Sequence, residues 1–371
     1  MKNAIYPFSA DPIHFGHLNN IARIIKTGMF AHLYVAIGRN YEKKTKYLFS
    51  DEEKLLITKK ALKSYKNVTV ELFNGLLAHY AKRKNTNIII RGARNSGDFE
   101  VEQNMAEFNK AYGLNTFIIP APKNIFNISS TTIKAIVENG GLVHEYTPLP
   151  AKQALEEKIL GLTLIGVTGN TGAGKTNFCA KISQLNKNIK HLEVDKLIKE
   201  LYKSNLEVQE KVKNAFGHNI YQKNEINRKK LAQIIFTDSL KRLELVKILR
   251  TPFKIALEEK MSACGGSAVG GKNLTNIVLI DCAYLVEYDL LPIINNNIIL
   301  LTCADEIKQQ RNKKAHDTKE AQYTEKQLKS AIKKQQKNTG YGNYLEINTE
   351  KKINFPQITA RLKQWRILRS Q

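Results

Sequence analysis

The chain has 371 residues, more than one hydrophobic core usually serves, so its length predicts two domains. Its hydrophobic fraction of 42% is enough for two cores. No apolar run reaches membrane-spanning length, and no apolar signal core follows Met1, which argues against membrane insertion and secretion. A cytoplasmic protein is therefore predicted. The formal net charge of +24 would attract polyanions, but lysines such as Lys329 and Lys333 are spread through predicted helices, which favours a solvated basic surface over a nucleic-acid site.

Strand-like and helical patterns alternate through about the first 140 residues. Helical periodicity predicts helices at 18–25 and 52–65. Short apolar runs predict strands at 4–6, 33–37, 68–72, 88–91 and 116–119. Such alternation is typical of a parallel sheet covered by helices, which binds ligands at the carboxyl ends of its strands.

The first candidate site lies between the first strand and the first helix, at His14-Phe15-Gly16-His17. A glycine there lets the backbone approach a phosphate, while the two imidazoles meet charge on an α-phosphoryl group. Taken alone, such histidines are as often structural as catalytic. Two downstream segments, residues 91–102 and 128–134, favour catalysis, because the second places hydroxyls and backbone N–H groups at a helix start, where the β- and γ-phosphates of ATP would bind.

These three segments, in this order and spacing, resemble the phosphopantetheine adenylyltransferase family over residues 3 to about 157. The resemblance implies a Rossmann-like nucleotidyltransferase domain that transfers AMP from Mg-ATP to phosphopantetheine, giving dephospho-CoA and pyrophosphate. It implies that His17 stabilises the transition state, that Arg91 contacts phosphates, and that Lys43, or else Lys44, flanks the acceptor phosphate beside Ser9. The remaining nucleotide-binding positions that it implies are His14, Gly16, Arg94, Asp98, Glu102, Ser129, Ser130 and Thr131.

The alternating pattern breaks around Thr147-Pro148-Leu149-Pro150. A short helix is predicted at 151–160, and a new strand begins after Gly161. We therefore predict a first domain at residues 1–160 and a second domain at residues 161–371.

A full Walker A match follows the apolar run 162–167 of the second domain, as a strand that leads into a phosphate loop should. Lys175 is predicted to neutralise the β- and γ-phosphates, and Thr176 to hold Mg²⁺. Backbone N–H groups of the loop would surround the phosphates, and they belong to Gly169, Asn170, Thr171, Gly172, Ala173 and Gly174. A second glycine-rich segment, 266–273, lacks the hydroxyl residue and the preceding strand, and it is interpreted as a flexible insertion.

Nineteen residues beyond Thr176, the segment 192–195 is predicted to be a short strand that ends in the carboxylate of Asp195, where a kinase base would meet an acceptor hydroxyl. With the segments 227–236 and 276–287, it resembles the dephospho-CoA kinase family over about residues 161 to 368. The resemblance implies a P-loop kinase domain with a helical insertion and a lid, which phosphorylates the ribose 3′-hydroxyl of dephospho-CoA. It makes Asp195 the base or acceptor-orienting group, Arg228 an acceptor-placing residue and Arg311 a lid arginine.

The second domain departs from that family's pattern at several positions. Thr251-Pro252 stands where the family has His-Pro, Ala283 where it has Pro, and Lys313-Lys314 where the lid has a second arginine. Lysine lacks the bidentate fork of arginine, so weaker transition-state stabilisation is expected. A kinase-like domain that binds ATP but is impaired or regulatory is therefore one alternative, and a basic nucleic-acid-binding protein on a nucleotidyltransferase scaffold is a less favoured one.

The four cysteines are widely scattered, with no Cys-x-x-Cys pair among Cys179, Cys264, Cys282 and Cys303. This spacing argues against a zinc site and against a disulfide framework. The cysteines are interpreted as reduced thiols.

The two resemblances support each other, because the product of the first implied reaction is the substrate of the second. The sequence thus predicts a two-domain α/β protein that carries out the last two steps of coenzyme A synthesis. Its expected ligands are ATP, phosphopantetheine, dephospho-CoA and Mg²⁺. No nucleic acid or membrane is expected as a partner, and a homo-oligomer is compatible with the sequence.

Overall fold

The fold is described from a computed structural model, which covers residues 2–38, 47–122, 128–222, 225–265, 276–286, 288–315 and 324–368. The chain forms two compact units. The first consists of Met1–Ile159, Lys337–Tyr341 and Arg366–Gln371, and the second of Leu160–Gln336 and Gly342–Trp365. Within the ranges covered, no helix has the length and apolar character needed to cross a membrane.

In the first unit, strands and helices alternate along the chain, and the expected parallel α/β architecture is confirmed. Its elements are β1 (Lys2–Phe8), α1 (Phe15–Lys26), β2 (Phe30–Gly38), α2 (Asp51–Ala61), β3 (Val68–Phe73), α3 (Leu77–Arg83), β4 (Ile88–Ala93), α4 (Ser96–Lys110), β5 (Asn115–Pro120), α5 (Ser130–Glu138) and α6 (Leu149–Leu155). The five strands pair in the order β3-β2-β1-β4-β5, all parallel. The strand order reverses between β1 and β4, so the carboxyl ends of these two strands form the crevice where such sheets bind ligands.

Local sequence explains where several of these helices begin. Before α2, the Ser50 hydroxyl accepts from the Glu53 N–H at 3.2 Å while the Glu53 carboxylate accepts from the Ser50 N–H at 2.8 Å, a reciprocal capping box. Asn95 caps α4 by accepting from the Asp98 N–H at 2.8 Å. Such caps satisfy N–H groups that have no carbonyl partner within the helix, so each cap fixes the residue at which its helix starts.

A buried carboxylate ties the C-terminal segment into the first unit. Glu157, 5% exposed in the π-helical turn Glu156–Leu160, accepts from the backbone N–H groups of Ile367 at 3.1 and 3.0 Å and of Leu368 at 2.7 Å. The Gln153 amide also donates to Glu157 at 2.8 Å, and the Gln153 carbonyl oxygen accepts from the Tyr341 hydroxyl at 2.8 Å. A fragment that ended at residue 160 would lose these C-terminal donors and leave a buried carboxylate short of partners.

The second unit has a five-stranded parallel sheet of order β12-β11-β6-β10-β7 and a separate two-stranded antiparallel ribbon. The strands are β6 (Leu162–Thr168), β7 (Ile189–Glu193), β8 (Tyr221–Gln222), β9 (Glu225–Ile226), β10 (Asn276–Asp281), β11 (Ile298–Thr302) and β12 (Tyr344–Asn348). The helices are α7 (Lys175–Leu185), α8 (Val194–Ser204), α9 (Leu206–Phe216), α10 (Arg228–Thr237), α11 (Ser239–Ala263), α12 (Asp305–Ala315), α13 (Glu325–Thr339) and α14 (Phe355–Gln364).

The helical insertion expected in this unit consists of α8 to α11, which lie between β7 and β10 in the chain. Much of the insertion packs around an apolar cluster of its own, which includes Val208, Val212, Ile220 and Leu231. The main sheet is buried on both faces, since every residue of β6, β10 and β11 is buried. Parallel strands covered on both sides read as continuous apolar runs, which is how β6 was predicted.

Several predicted boundaries were wrong, and three of these elements lie near the candidate sites or the domain boundary. The strand expected at 192–195 ends at Glu193, and Val194 begins α8, because four residues of alternating polarity do not distinguish a strand end from a helix start. The helix expected at 52–65 ends at Ala61. The one expected at 151–160 begins at Leu149, with Pro150 in its first turn, and changes to a π-helical turn at Glu156.

Candidate active sites

Two histidine rings stack at the start of α1, beside the carboxyl end of β1. The centroids of His14 and His17 are 3.7 Å apart, and the two rings form a capping box: His14 Nδ1 accepts from the Gly16 N–H at 3.1 Å, and His17 Nδ1 accepts from the His14 N–H at 3.3 Å. A Cβ on Gly16 would lie 2.8 Å from the His14 ring, so a glycine allows this close approach. The His17 and Phe8 rings pack in an edge-to-face arrangement with their centroids 4.8 Å apart.

Both rings are held neutral by their surroundings. Burial, with the Arg94 guanidinium adding to it, lowers the pKa of His14 to about 4. Burial also lowers the pKa of His17 well below its ordinary value, and the adjacent His14 ring and the positive charges of Arg94 and Arg91 act in the same direction. Because each Nδ1 accepts a backbone hydrogen bond, the single ring proton of the neutral form belongs on Nε2. The pair is therefore suited to donating neutral hydrogen bonds to a phosphoryl oxygen.

The low pKa of His14 gives the first unit a pH dependence of definite sign. Between about 4 and 6.5, the unfolded chain binds a proton that the folded His14 ring refuses, so stability is complete above 6.5 and is lost as the pH falls. We expect this ring alone to lower the free energy of unfolding by about 3 kcal/mol over that window. Ring-proton NMR of the full chain should show His14 still neutral at a pH of about 5.5.

The His14→Gln variant identifies the resonance and acts as the control. It should also flatten the pH dependence of amide hydrogen exchange in β1, after correction for the intrinsic exchange rates. A His14 ring that titrates close to its ordinary pKa of 6.5 would contradict this prediction.

A carboxylate on α4 orients the Arg91 side chain, at the carboxyl end of β4. Arg91 Nε and Nη2 donate to the two oxygens of Glu102 at 2.6 and 2.5 Å, and Nη1 donates to the Pro7 carbonyl at 2.5 Å. The bidentate pair fixes the plane of the guanidinium. The Arg91 side chain therefore lies at the crevice between β1 and β4, where Glu102 orients its guanidinium group.

Arg94 is held in the same way one turn closer to the start of α4. Its Nε donates to Asp98 Oδ2 at 2.8 Å, and its Nη1 donates to the Ile128 carbonyl at 3.3 Å. The backbone N–H of Arg94 also donates to Asp98, at 3.2 Å. Arg94 thus connects the start of α4 with the residue that precedes the hydroxyl segment at α5.

The hydroxyl segment forms the start of α5, as predicted. Ser129 caps the helix by accepting from the Thr132 N–H at 3.0 Å, and the Ser130 hydroxyl donates to the Pro12 carbonyl at 2.9 Å. Thr131 is exposed in the first turn. The first N–H groups of a helix have no carbonyl partner within it, so this end of α5 offers donors and a positive dipole end to anionic oxygens.

Asp11, which the sequence analysis did not select, joins three parts of the first unit. Its carboxylate, 4% exposed, accepts from the N–H groups of Leu48 at 3.1 Å and Phe49 at 3.0 Å and from Lys134 Nζ at 2.8 Å. The available signal was a pair of charged residues without an assigned role: Asp11, three residues before the His14–His17 segment, and Lys134, the last residue of the segment 128–134. Ser9 follows β1 directly and is half-buried. Lys43 and its alternative Lys44 lie outside the described residues, so their contact with the acceptor phosphate stays a prediction.

The Walker A segment forms a tight loop between β6 and α7. Gly169, Gly172 and Gly174 have φ angles of 144°, 85° and 87°, in the range that glycine adopts readily. A Cβ on Gly169 would lie 2.3 Å from the Leu301 carbonyl oxygen, so no larger residue fits there. Because α7 begins at Lys175, the loop lies at the positive end of a helix dipole, where phosphate binds well.

Lys175 lies back over this loop. Its Nζ donates to the carbonyl oxygens of Gly169 at 2.8 Å and of Asn170 at 3.2 Å. Ala173 is fully buried, and its N–H donates to the Asn170 carbonyl at 3.0 Å, which leaves Thr171 in the turn between them. The ammonium group therefore lies at the loop whose N–H groups would bind phosphate oxygens.

Thr176 is paired with a carboxylate that the sequence analysis quoted but did not select. Its hydroxyl donates to Asp281 Oδ2 at 2.8 Å, and Asp281 is the last residue of β10, 6% exposed. The hydroxyl and carboxylate are the hard oxygen ligands that Mg²⁺ prefers beside a P-loop. The signal for Asp281 was an apolar strand that ends in an acidic residue.

Asp195 lies at the same edge of the sheet, half-buried in the first turn of α8. Burial raises the pKa of the Cys282 thiol, and the nearby Asp195 charge raises it further, which places Asp195 close to the end of β10. Arg228 begins α10, and its side chain lies outside the described part of the structure. The predicted acceptor-side carboxylate and the Walker A loop therefore share one end of the second sheet.

Arg311, the predicted lid arginine, also contacts the phosphate loop. Arg311 Nη1 donates to the Gly172 carbonyl at 3.1 Å and to the Thr349 hydroxyl at 3.1 Å. The side chains of Lys313 and Lys314, and all of residues 316–323, lie outside the described part of the chain. Arg311 therefore lies at the phosphate loop, and its role as a lid arginine stays a prediction.

These two sites define a protein of two phosphate-handling units, a nucleotidyltransferase-like unit followed by a P-loop kinase unit. A family model described as cytidylyltransferase-like matches residues 5–136, and one described as dephospho-CoA kinase matches residues 163–350. The chain belongs to the dephospho-CoA kinase family through its second half and to the phosphopantetheine adenylyltransferase family through its first.

Two relatives carry the assignment of the first half. The phosphopantetheine adenylyltransferase of Pseudarthrobacter chlorophenolicus is 42% identical over 150 residues, which are 40% of this chain and 88% of that protein. The phosphopantetheine adenylyltransferase of Petrotoga mobilis is 40% identical over 162 residues, which are 43% of this chain and 98% of that protein. Both resemblances drawn from the sequence are confirmed.

Proposed function

We propose that the chain is a bifunctional coenzyme A synthase. Its first unit transfers AMP from ATP to phosphopantetheine, and its second unit phosphorylates the ribose 3′-hydroxyl of the dephospho-CoA so formed. The observation that carries this proposal is the presence of both family matches in one chain, each over a unit with its own phosphate site. The matched families catalyse consecutive steps of one pathway, so the product of the first unit is the substrate of the second.

In the first reaction, a phosphate oxygen of phosphopantetheine attacks the α-phosphorus of ATP in line, and the bond to pyrophosphate breaks. The neutral His17 ring donates from Nε2 to an α-phosphoryl oxygen as charge develops there. Arg91, fixed by Glu102, neutralises phosphate oxygens, and the N–H groups at the start of α5 bind the β- and γ-phosphates. Lys43 is proposed to meet the acceptor phosphate beside Ser9.

In the second reaction, Asp195 takes the proton of the ribose 3′-hydroxyl as that oxygen attacks the γ-phosphorus, and ADP leaves. Lys175 and the loop N–H groups hold the β- and γ-phosphates. Thr176 and Asp281 would hold Mg²⁺, which supplies charge neutralisation when bound. Arg228 is proposed to place the acceptor, and Arg311 to stabilise the transferred phosphoryl group.

We also propose that residues 1–160 and 161–371 are the functional domains, that the protein works in the cytoplasm, and that its partners are small molecules. The C-terminal segment that Glu157 binds belongs structurally to the first unit. The functional boundary at residue 160 therefore separates the two reactions, but a chain cut there would lose part of the first unit. A homo-oligomer is compatible with this proposal.

Mass spectrometry of products from the full chain, incubated with Mg-ATP and phosphopantetheine, tests the proposal. Dephospho-CoA should appear first and CoA after it, and dephospho-CoA supplied alone should also become CoA. Dephospho-CoA that accumulates without CoA would favour an ATP-binding second unit that does not phosphorylate. Salt-sensitive retention on duplex DNA without any adenylyl transfer would favour the nucleic-acid alternative.

A further inference from the structure

A thiol, an imidazole and a carboxylate lie close together in the second unit. They belong to Cys179 on α7, His191 on β7 and Asp281 on β10, and one ligand atom of each lies within 4.8 Å of the other two. The His191 Nε2 and Asp281 Oδ2 atoms are 3.3 Å apart. Cys179 is fully buried and the His191 side chain is 13% exposed. Among the described residues, this is the one such group of three potential metal ligands.

The three ligand types together select a borderline-soft metal ion. Zinc binds thiolate sulfur at about 2.3 Å and imidazole nitrogen or carboxylate oxygen at about 2.0–2.2 Å in tetrahedral sites, which places neighbouring ligand atoms roughly 3.3–3.7 Å apart. The imidazole and carboxylate already have this separation, at 3.3 Å. The thiol sulfur lies within 4.8 Å of both atoms, so it needs to move by about 1.5 Å at most, a rotamer-scale adjustment. Mg²⁺ prefers oxygen ligands at octahedral geometry and does not suit a buried thiol.

All three side chains of this group are carried by regular secondary structure. His191 and Asp281 lie on two paired parallel strands, where Ile280 is opposite Leu192 and Asp281 is opposite Glu193. Cys179 lies one helical turn after Thr176, on a helix that packs on the same sheet. Sites built on strands and helices are held more rigidly than sites on loops.

The simpler interpretation is an apolar thiol beside a histidine–aspartate hydrogen bond, since Cys179 also packs in the core with Phe178 and Ile182. The sequence argument against a zinc site concerned cysteine pairs in the chain. It does not apply to this group, in which one cysteine is joined by a histidine and an aspartate from two other elements.

We propose that Cys179, His191 and Asp281 bind Zn²⁺ or a similar borderline-soft divalent ion, and that this binding inhibits the second unit. As the metal–sulfur bond forms, the Cys179 thiol releases its proton to solvent. The bound ion withdraws Asp281 from Thr176, so the Asp281 carboxylate is no longer available to the nucleotide's metal. The inhibition rests on the proposed kinase function, whereas the metal binding does not.

Direct binding is tested on the full chain after removal of metals with a chelator, with Co²⁺ as the spectroscopic probe. Wild type should take up one Co²⁺ with a thiolate charge-transfer band in the near ultraviolet, and Zn²⁺ should displace it. Cys179→Ala should lack the band and bind Zn²⁺ at least about 100-fold more weakly, since even outer-shell changes cost 10- to 100-fold. Cys264→Ala, a half-buried thiol of the same unit, is the matched control and should behave as wild type.

The binding proposal is overturned if folded wild type shows no thiolate band, or if the band persists in Cys179→Ala. Trp365, the single tryptophan, lies in the same core cluster as Cys179, so its fluorescence shows whether the variant has folded. His191→Gln gives a second route to the same question, and it should keep the thiolate band but weaken Zn²⁺ binding.

Inhibition is measured as CoA formation from dephospho-CoA at fixed Mg-ATP, with Zn²⁺ added. Wild type should lose this activity while its adenylyl transfer continues, and Cys179→Ala should keep its rate at the same Zn²⁺ concentration. Equal inhibition of wild type and Cys179→Ala would overturn the proposed mechanism of inhibition. A metal-free wild type that never phosphorylates dephospho-CoA would contradict the kinase function instead, and it would leave the cobalt result standing.

Discussion

Replacement of Lys175 by alanine is expected to separate the two reactions. The variant should form dephospho-CoA from phosphopantetheine at the wild-type rate, and its conversion of dephospho-CoA to CoA should fall by about 100- to 1000-fold. The reason is local, because Nζ lies over the Walker A loop, 2.8 Å from the Gly169 carbonyl, where it would meet the β- and γ-phosphates. Quantification of both products by mass spectrometry over a time course gives the two rates from one sample.

Lys181→Ala is the matched control, since Lys181 is an exposed lysine on the same helix and its loss changes the charge of α7 by the same amount. This variant should make CoA as wild type does. If Lys175→Ala also made CoA at the wild-type rate, the Walker A loop would not be the phosphoryl-transfer site. If both products disappeared, the substitution would have disturbed more than the loop.

The sequence predicted those parts of the fold that short local patterns determine. Apolar runs such as 162–167 are long and uninterrupted because both faces of β6 are covered, and Gly169, Gly172 and Gly174 are required by the positive φ angles of the loop that follows. Motif spacing then located the candidate sites, because the carboxyl ends of parallel strands meet at one edge of a sheet.

Contacts between distant parts of the chain could not be predicted in the same way. Glu157 binds the backbone of Ile367 and Leu368, more than two hundred residues later, and nothing in the local pattern around either segment indicates this. The contacts of Asp11 with Leu48 and Lys134 likewise join distant segments whose local patterns do not indicate the pairing. The grouping of Cys179 with His191 and Asp281 depends on the order of strands in the sheet, which the sequence left undetermined.

Replacement of His17 by alanine should have the opposite outcome to the Lys175 change. Adenylyl transfer should fall by about 100- to 1000-fold, because a preorganised donor to the α-phosphoryl group is removed, while supplied dephospho-CoA should still become CoA. The retained second reaction shows within the same sample that the second unit is folded, and amide hydrogen exchange in β1 shows whether the first unit is folded. His79→Ala, which removes an exposed histidine of α3, is the matched control and should retain both activities.

The pH dependence of adenylyl transfer then tests how His17 acts. Burial and the neighbouring positive charges lower the pKa of His17 well below its ordinary value, and Nδ1 accepts from the His14 N–H, so the ring is neutral with its proton on Nε2. A neutral donor keeps its proton as the pH rises, so kcat for adenylyl transfer should stay level from about pH 6.5 to 8. A cationic histidine would instead lose its proton and its activity across that range. A decline of kcat with rising pH that is absent from His17→Ala would therefore show that the imidazolium, and not the neutral ring, stabilises the transition state.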